Sequence, residues 1–347
     1  MKKYKICKIL LVILAIFLCM AFYELLGICV AYKKQPEVSN TTKKETKNGS
    51  WNECSENTER AVIIEKNPEA LLQRVRLIKN AKKEIILSTF AFQSDESGKL
   101  ILGALHDAAD RGVHIRLLVD GMESWIDMEG NPYFYGLSSH ENVEIKLYNK
   151  ANPLKPWKMM GRMHDKYLIA DGKRYILGGR NTYNYFLGDF PGHKNYDRDV
   201  LVVCDEPEKE NSVNQLLEYF ETIWEQEDSG YFHDNKKLAN RKSVKNAVLE
   251  LQNGYQKYFE ENKERICDTD YTDETFETEK IALVSNPIHT GSKEPVVWYQ
   301  LGELMKNAKN RVKIHTPYII CNDMMYNTWE EIAENVSRSE ERRVGKE

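Results

Sequence analysis

The chain has 347 residues, a formal net charge of −4 and 29 % charged residues. That length accommodates two ordinary domains, and the near-neutral balance excludes a global basic field for nucleic acid, leaving only a local patch as a route to it. Seven cysteines without a Cys-x-x-Cys pair, three of them in the apolar N-terminus, make neither a zinc framework nor a dense disulfide scaffold, and leave one isolated disulfide open.

The opening MKKYKICK carries four lysines, and Ile9 to Tyr32 is apolar apart from Glu24. As a helix that run spans roughly 36 Å, enough to cross a bilayer with some tilt. It is long for the core of a secretory signal, and no A-x-A-like site follows. The expectation for residues 1–34 is therefore a single-pass membrane anchor rather than a cleaved leader. A lysine-rich head is hard to translocate, although Lys33, Lys34, Lys43, Lys44 and Lys47 weaken the charge asymmetry. The rest of the chain is expected outside the cytoplasm, at the cell membrane. Residues 35–60 are polar and read as a flexible tether.

Globular patterning follows. Leu71, Leu72, Val75 and Ile78 share a helical face, and IILSTFAF (Ile85 to Phe92) reads as a strand. A second helix is expected around Leu100 to Arg111, then strands HIRLLVD and VEIKLY, the latter at Val143 to Tyr148. Helices alternating with short β-branched strands predict an α/β layered fold over residues 61–206. Within residues 207–279, Val213, Leu216, Leu217, Phe220, Ile223 and Trp224 recur at helical spacing. A longer charged helix covers roughly 236–265, its charges a solvated face, before an acidic, threonine-rich linker.

A partial second unit is expected at residues 280–337. IKNAKKEIILSTFAF (Ile78 to Phe92) and MKNAKNRVKIHTPYI (Met305 to Ile319) share five of fifteen residues at a constant offset of 227, and Pro68 and Pro295 pair at the same offset. Agreement in both residue identity and helix-then-strand order predicts a duplicated unit. His315 falls opposite Ser88 and reads as a core or edge histidine.

The chemistry concentrates in RMHDKYLIADGKRYILGGRN, Arg162 to Asn181. Two apolar runs joined by Asp-Gly predict a hairpin. On a strand, His164 and Lys166 project together while Asp165 and Tyr167 face the other way. A neutral imidazole beside an ammonium suits attack at phosphorus, the lysine neutralising phosphate oxygens while the imidazole acts as nucleophile. Asp171 has a competing explanation in the turn itself. Gly178 and Gly179 let backbone approach a ligand, and Asn181 offers an amide donor. Just upstream, NPLKPWKMMGR places Lys155, Lys158 and Arg162 around Trp157, Met159 and Met160. That loop is either solvated or suited to an anionic lipid at a membrane surface. His106 and His140 read as surface residues. His193, His233 and His289 sit in polar loops without metal-ligand spacing, so no metal is expected.

His164, Lys166, Asp171, Gly178, Gly179 and Asn181, with AADRGVHIRLLVDG (Ala108 to Gly121) and DRDVLVV after Asp197, resemble the phospholipase D superfamily, in its bacterial cardiolipin synthase-like branch. The resemblance runs from about Leu71 to Asp205 and resumes more weakly from about Lys280. It implies duplicated α-β-α sandwich units, each supplying one motif, with two histidines meeting across a cleft. One histidine forms a phosphohistidine intermediate, the other protonates the leaving alcohol, and no cofactor or metal is required. Such a division makes physical sense, because one imidazole cannot easily attack phosphorus and also protonate an oxygen leaving on the far side.

The resemblance implies a phosphatidyl transferase of cardiolipin synthase type acting on a phosphatidylglycerol-like phospholipid. His164, Lys166 and Asp171 would be catalytic, and Lys166, Gly179 and Asn181 would bind phosphate. A phosphodiesterase using water is the alternative, with nucleic acid the weaker substrate. The offset places a second motif histidine near position 391, so the second unit is expected to be truncated, and residues 338–347 read as a non-native tail. An inactive lipid-binding fragment is the non-enzymatic alternative.

Overall fold

The computed structural model describes residues 2–31, 33, 36–49, 59–204, 211–233, 235–314, 316 and 319–335. Two compact units arise. The first comprises residues 1–33, 54–283 and 288–291, and the second residues 34–53, 284–287 and 292–347.

The first unit begins with α1 (Lys2–Ala31). Its Ile6–Ala31 portion has a mean hydropathy of 2.7 and no part of it is buried, and it is long and apolar enough to cross a membrane. After it come β1 (Arg60–Ile64), α3 (Asn67–Asn80), β2 (Glu84–Thr89), α4 (Glu96–Asp110) and β3 (His114–Asp120), while α2 (Asn40–Asn48) belongs to the second unit. Next are α5 (Gly121–Asp127), α6 (Pro132–Ser138), β4 (Val143–Tyr148), β5 (Tyr167–Ala170), β6 (Arg174–Gly178) and β7 (Asp199–Val203). The unit closes with α7 (Ser212–Trp224), β8 (Ser229–Tyr231), α8 (Lys242–Glu261), α9 (Lys263–Cys267) and β9 (Phe276–Glu277).

Among the described residues, all nine strands join one mixed sheet in the order β8-β4-β3-β2-β5-β6-β7-β1-β9. Strands β2, β3 and β4 are parallel, joined by helical crossovers, and β5, β6, β7 and β1 run antiparallel to their neighbours. Period-two alternation splits the apolar residues between two cores. Ile85, Leu87, Leu117, Val119 and Leu168 pack against α3, α4, α6 and α8. Ile86, Leu118, Tyr167, Ile169 and Val202 pack against Val213, Leu216, Phe220, Ile223 and Trp224 of α7. The result is an α/β layered unit built on one mixed sheet. In α8 the buried face is Val244, Ala247, Leu251, Tyr255 and Phe259, and the charges lie on the opposite side.

The expected hairpin forms with the turn its sequence encodes. Asp171 (φ 54°) and Gly172 (φ 62°) are both left-handed, and the Lys173 amide donates to the Ala170 carbonyl at 3.0 Å. Two positive φ values make a type I′ turn, whose twist matches the flanking strands.

In the second unit, α10 (Val296–Lys306) and α11 (Asp323–Asn335) pack through Trp298 and Trp329, with ring centroids 5.3 Å apart. Helix α10 lies at the position the duplication predicts. The strand does not: residues 311–314 and 319–322 carry no strand, and no second sheet exists among the described residues. His315 and the tail 338–347 lie outside the described residues. The polar tether also differs from expectation, because Asn40–Asn48 is helical. The Ser39 hydroxyl accepts from the Thr42 amide at its start, and Gly49 (φ 74°) stops it.

Candidate functional site

Arg162 to Lys166 is not a strand but an extended lead-in to β5, so the histidine and lysine precede the ladder rather than lying in it. The alternation nevertheless holds. Asp165 accepts from the Tyr219 hydroxyl of α7 at 2.7 Å, on the same face as Tyr167. His164 and Lys166 turn instead to Phe90, with ring centroids 4.6 Å apart for His164 and Lys166 Nζ 5.3 Å from the ring. The Gly178 amide donates to the Lys166 carbonyl at 3.1 Å, which carries the β5–β6 pairing one residue beyond β5 and fixes the lysine backbone.

Lys166 is buried, and its Nζ donates to the His164 carbonyl at 2.5 Å. Burial pushes its ammonium down to about 8, against Asp165, Asp197 and Asp120, which favour the charged form. His164 is exposed. Partial desolvation, then the Lys166 ammonium and Arg162, push its imidazole below the ordinary value, and Asp120 opposes them. The histidine is thus biased to the neutral form beside a cation, the pairing that nucleophilic attack on a phosphodiester needs.

Asn181 is buried, and its Oδ1 accepts from the Ala91 amide at 3.2 Å, which turns the amide NH2 group the other way. Gly179 has a plain steric reason, since a Cβ there would collide with the Asp197 carboxylate. A Cβ at Gly178 would collide with Asp199.

Asp171 is not brought to this group. It sits beyond the far end of β5 from His164, and its carboxylate accepts from the backbone amides of Lys82 (2.8 Å), Lys83 (2.7 Å) and Glu84 (3.0 Å). Its contacts are architectural: Asp171 makes the turn and clamps it to the start of β2.

Two acidic groups were not singled out by sequence reasoning. Asp120, buried at the end of β3, accepts from the Met122 amide at 2.9 Å and so caps α5. It also accepts from Arg162 Nε at 2.9 Å, from Arg162 Nη2, and from the Met163 amide at 3.1 Å. It therefore holds the two residues before His164. Its signal was the Asp-Gly pair closing HIRLLVD, where a Cβ on Gly121 would come within 2.6 Å of the Lys150 amide nitrogen. Asp199 is the second, wholly buried between Arg74 (2.9 Å) and Arg180 (3.2 Å). Arg180 further donates to the carbonyls of Ile64 and Glu65 and to that of Asp197. No periodicity reveals this cluster, because its members come from three distant segments.

Among the described residues no group of three or more His, Cys, Asp or Glu side chains is placed to hold a metal ion. Cys7, Cys19, Cys29, Cys204, Cys267 and Cys321 are free thiols, and Cys54 lies outside the described residues. His106, expected at the surface, is buried instead. Its Nδ1 faces Asp110 at 3.1 Å, and the same carboxylate faces His140 at 3.2 Å.

The family model described as cardiolipin synthase, PLD-like domain, matches residues 74–224. Over 212 residues the chain is 30 % identical to a protein of Helicobacter pylori (strain J99) described as uncharacterized, covering 57 % of this chain and 39 % of that one. It is 29 % identical over 171 residues to cardiolipin synthase C of Escherichia coli K12, covering 45 % of this chain and 34 % of the relative. Over 117 residues it is 34 % identical to cardiolipin synthase 1 of Staphylococcus aureus MRSA252, covering 33 % and 23 %. The chain thus spans well under half the length of each of these relatives.

Proposed function

We propose, from the premise that residues 74–224 are a phospholipase D-superfamily domain of cardiolipin synthase type, that this chain takes part in phosphatidyl transfer at a membrane. The observation that carries the reading is the His164–Lys166 pair on Phe90, an exposed imidazole biased to neutrality beside a buried ammonium. The His164 imidazole attacks the phosphorus of a phosphatidylglycerol-like lipid, the bond to the headgroup oxygen breaks, and the leaving alcohol takes a proton. A second alcohol then attacks the phosphohistidine, giving up its proton and releasing the imidazole. Lys166 and the Asn181 amide stabilise the phosphoryl oxygens in both steps. Solvent water supplies the proton taken up by the leaving alcohol and receives the one given up by the second alcohol. Helix α1 is the anchor, with the sheet and helices of the first unit that follow it on the extracytoplasmic side.

The test is to incubate the full chain, in mixed micelles, with phosphatidylglycerol carrying 32P in its phosphodiester. A protein-bound label that is acid-labile, and absent from His164→Asn, supports the reading. Formation of cardiolipin then identifies an alcohol acceptor, whereas phosphatidic acid identifies water and replaces the transferase by a phosphodiesterase. Neither label nor product, from a chain that still binds the lipid, overturns catalysis by this chain in favour of a lipid-binding role.

A further inference from the structure

The stretch between β4 and the candidate site is neither a floppy loop nor part of the core. Asn149 (φ 52°) closes its base, its amide NH2 donating to the carbonyls of Lys158 (2.7 Å) and Gly161 (2.8 Å). Lys158 Nζ is tied to Asp228 at 2.6 Å, and Pro156–Lys158 forms a 3-10 turn. The frame is fixed, yet it holds apolar side chains out to solvent: Leu154 is 77 % exposed, Met160 55 % and Trp157 46 %. Ordering a loop so as to expose leucine, methionine and tryptophan together costs free energy unless something apolar receives them.

The neighbour of this loop identifies the recipient. The Tyr23 hydroxyl of α1 donates to the Leu154 carbonyl at 3.1 Å, and Gly27 lies so close that a Cβ would come within 2.5 Å of Pro156. Tyr23 and Gly27 precede the helix end at Ala31 by roughly 12 and 6 Å of helix rise. The loop therefore meets α1 near the distal end of its apolar span, where hydrocarbon gives way to headgroups. Tyrosine and tryptophan are the side chains that settle at that depth. Lys155 can lay its stem along the apolar surface with its ammonium group among anionic headgroups, while Lys158 stays paired with Asp228 in the frame.

We infer that Asn152–Met160 is a second membrane contact, an interfacial loop seated in the headgroup region of an anionic leaflet beside α1. His164 follows four residues later, so the contact holds the rim of the candidate site against the leaflet that would supply its lipid. The inference rests on α1 being a membrane anchor.

The experiment uses the full chain reconstituted into vesicles of phosphatidylglycerol and acyl-chain-brominated phosphatidylcholine, with tryptophan quenching as the readout. Trp157→Phe should lower bromolipid-dependent quenching about two-fold, because an interfacial indole lies within reach of the bromines. Trp224→Phe, under the sheet, should leave it unchanged. Leu154→Glu combined with Met160→Glu should remove the Trp157 contribution while the chain still floats with the vesicles. A chain that resists carbonate extraction but shows equal quenching with and without Trp157 overturns the inference and leaves the anchor intact. So does a blue-shifted Trp157 that bromine does not quench, which would mean a protein partner. A chain stripped from vesicles by carbonate overturns the anchor and the inference together.

Discussion

Ile78–Phe92 and Met305–Ile319 share a third of their residues but not their fate. In the first, Leu87 is 3 % exposed in a strand paired on both sides, by β3 and β5; its counterpart Ile314 is 50 % exposed, in a segment without strand pairing among the described residues. The helices at the two positions, α3 and α10, both form. A helix closes its hydrogen bonds within itself, whereas a strand leaves every donor and acceptor for a neighbour to satisfy. Sequence likeness transmits the first kind of structure and not the second.

That contrast can be broken by mutation, and the largest effect is expected in the buried interior of the first unit. Asp199→Ala leaves Arg74 and Arg180 buried without their shared carboxylate, and should cost about 3–5 kcal/mol in denaturant unfolding of the first unit in detergent. An unchanged midpoint would mean that the arginines rearrange. Next, Leu87→Ala should cost about 2–5 kcal/mol by cavity formation, while the matched Ile314→Ala should stay within about 0.5 kcal/mol. Hydrogen exchange resolved to each segment checks both, and equal losses would show that the second segment is packed after all.

A smaller effect tests Asp171. Asp171→Ala removes the acceptor of three backbone amides and strains a positive φ, at a cost of about 1–3 kcal/mol. Asp171→Asn, which tolerates that conformation, should cost less. Label per folded molecule should be unaffected in both. A specific loss of labelling at full stability would give Asp171 a catalytic role.

The mildest expectation is a pH profile. Labelling needs a neutral His164, so it should rise with pH through a midpoint below the usual 6.5, because the folded environment depresses that value. It also needs a charged Lys166, so it should decline as pH passes about 8. Lys166→Arg, charged throughout, should remove the alkaline limb. Persistence of that limb would assign it to another group.

The residues that were legible in the sequence share one property. The α3, α4, α7 and α8 faces, the alternation of β3 and β4, the Asp-Gly turn and the joint projection of His164 and Lys166 all follow from spacing within a dozen residues. What escaped has partners far along the chain. Asp120 grips Arg162 and Met163 some forty residues later, and Asp171 reaches back to Lys82. His106 is the same case in miniature: helical spacing put it on a polar side, and its packing against His140 and Asp110 buried it.

By itself, then, the sequence determined the apolar span of α1, the helices, the buried alternation of the strands and the identity of the imidazole–ammonium pair. Tertiary structure alone decided that Asp171 is a clamp and that Asp120 steers the approach to His164. It also left the second helix-then-strand pattern without a strand among the described residues. The reason is range. Periodicity is written in neighbouring residues, but a strand's pairing and a carboxylate's partner depend on which distant segments the fold brings alongside.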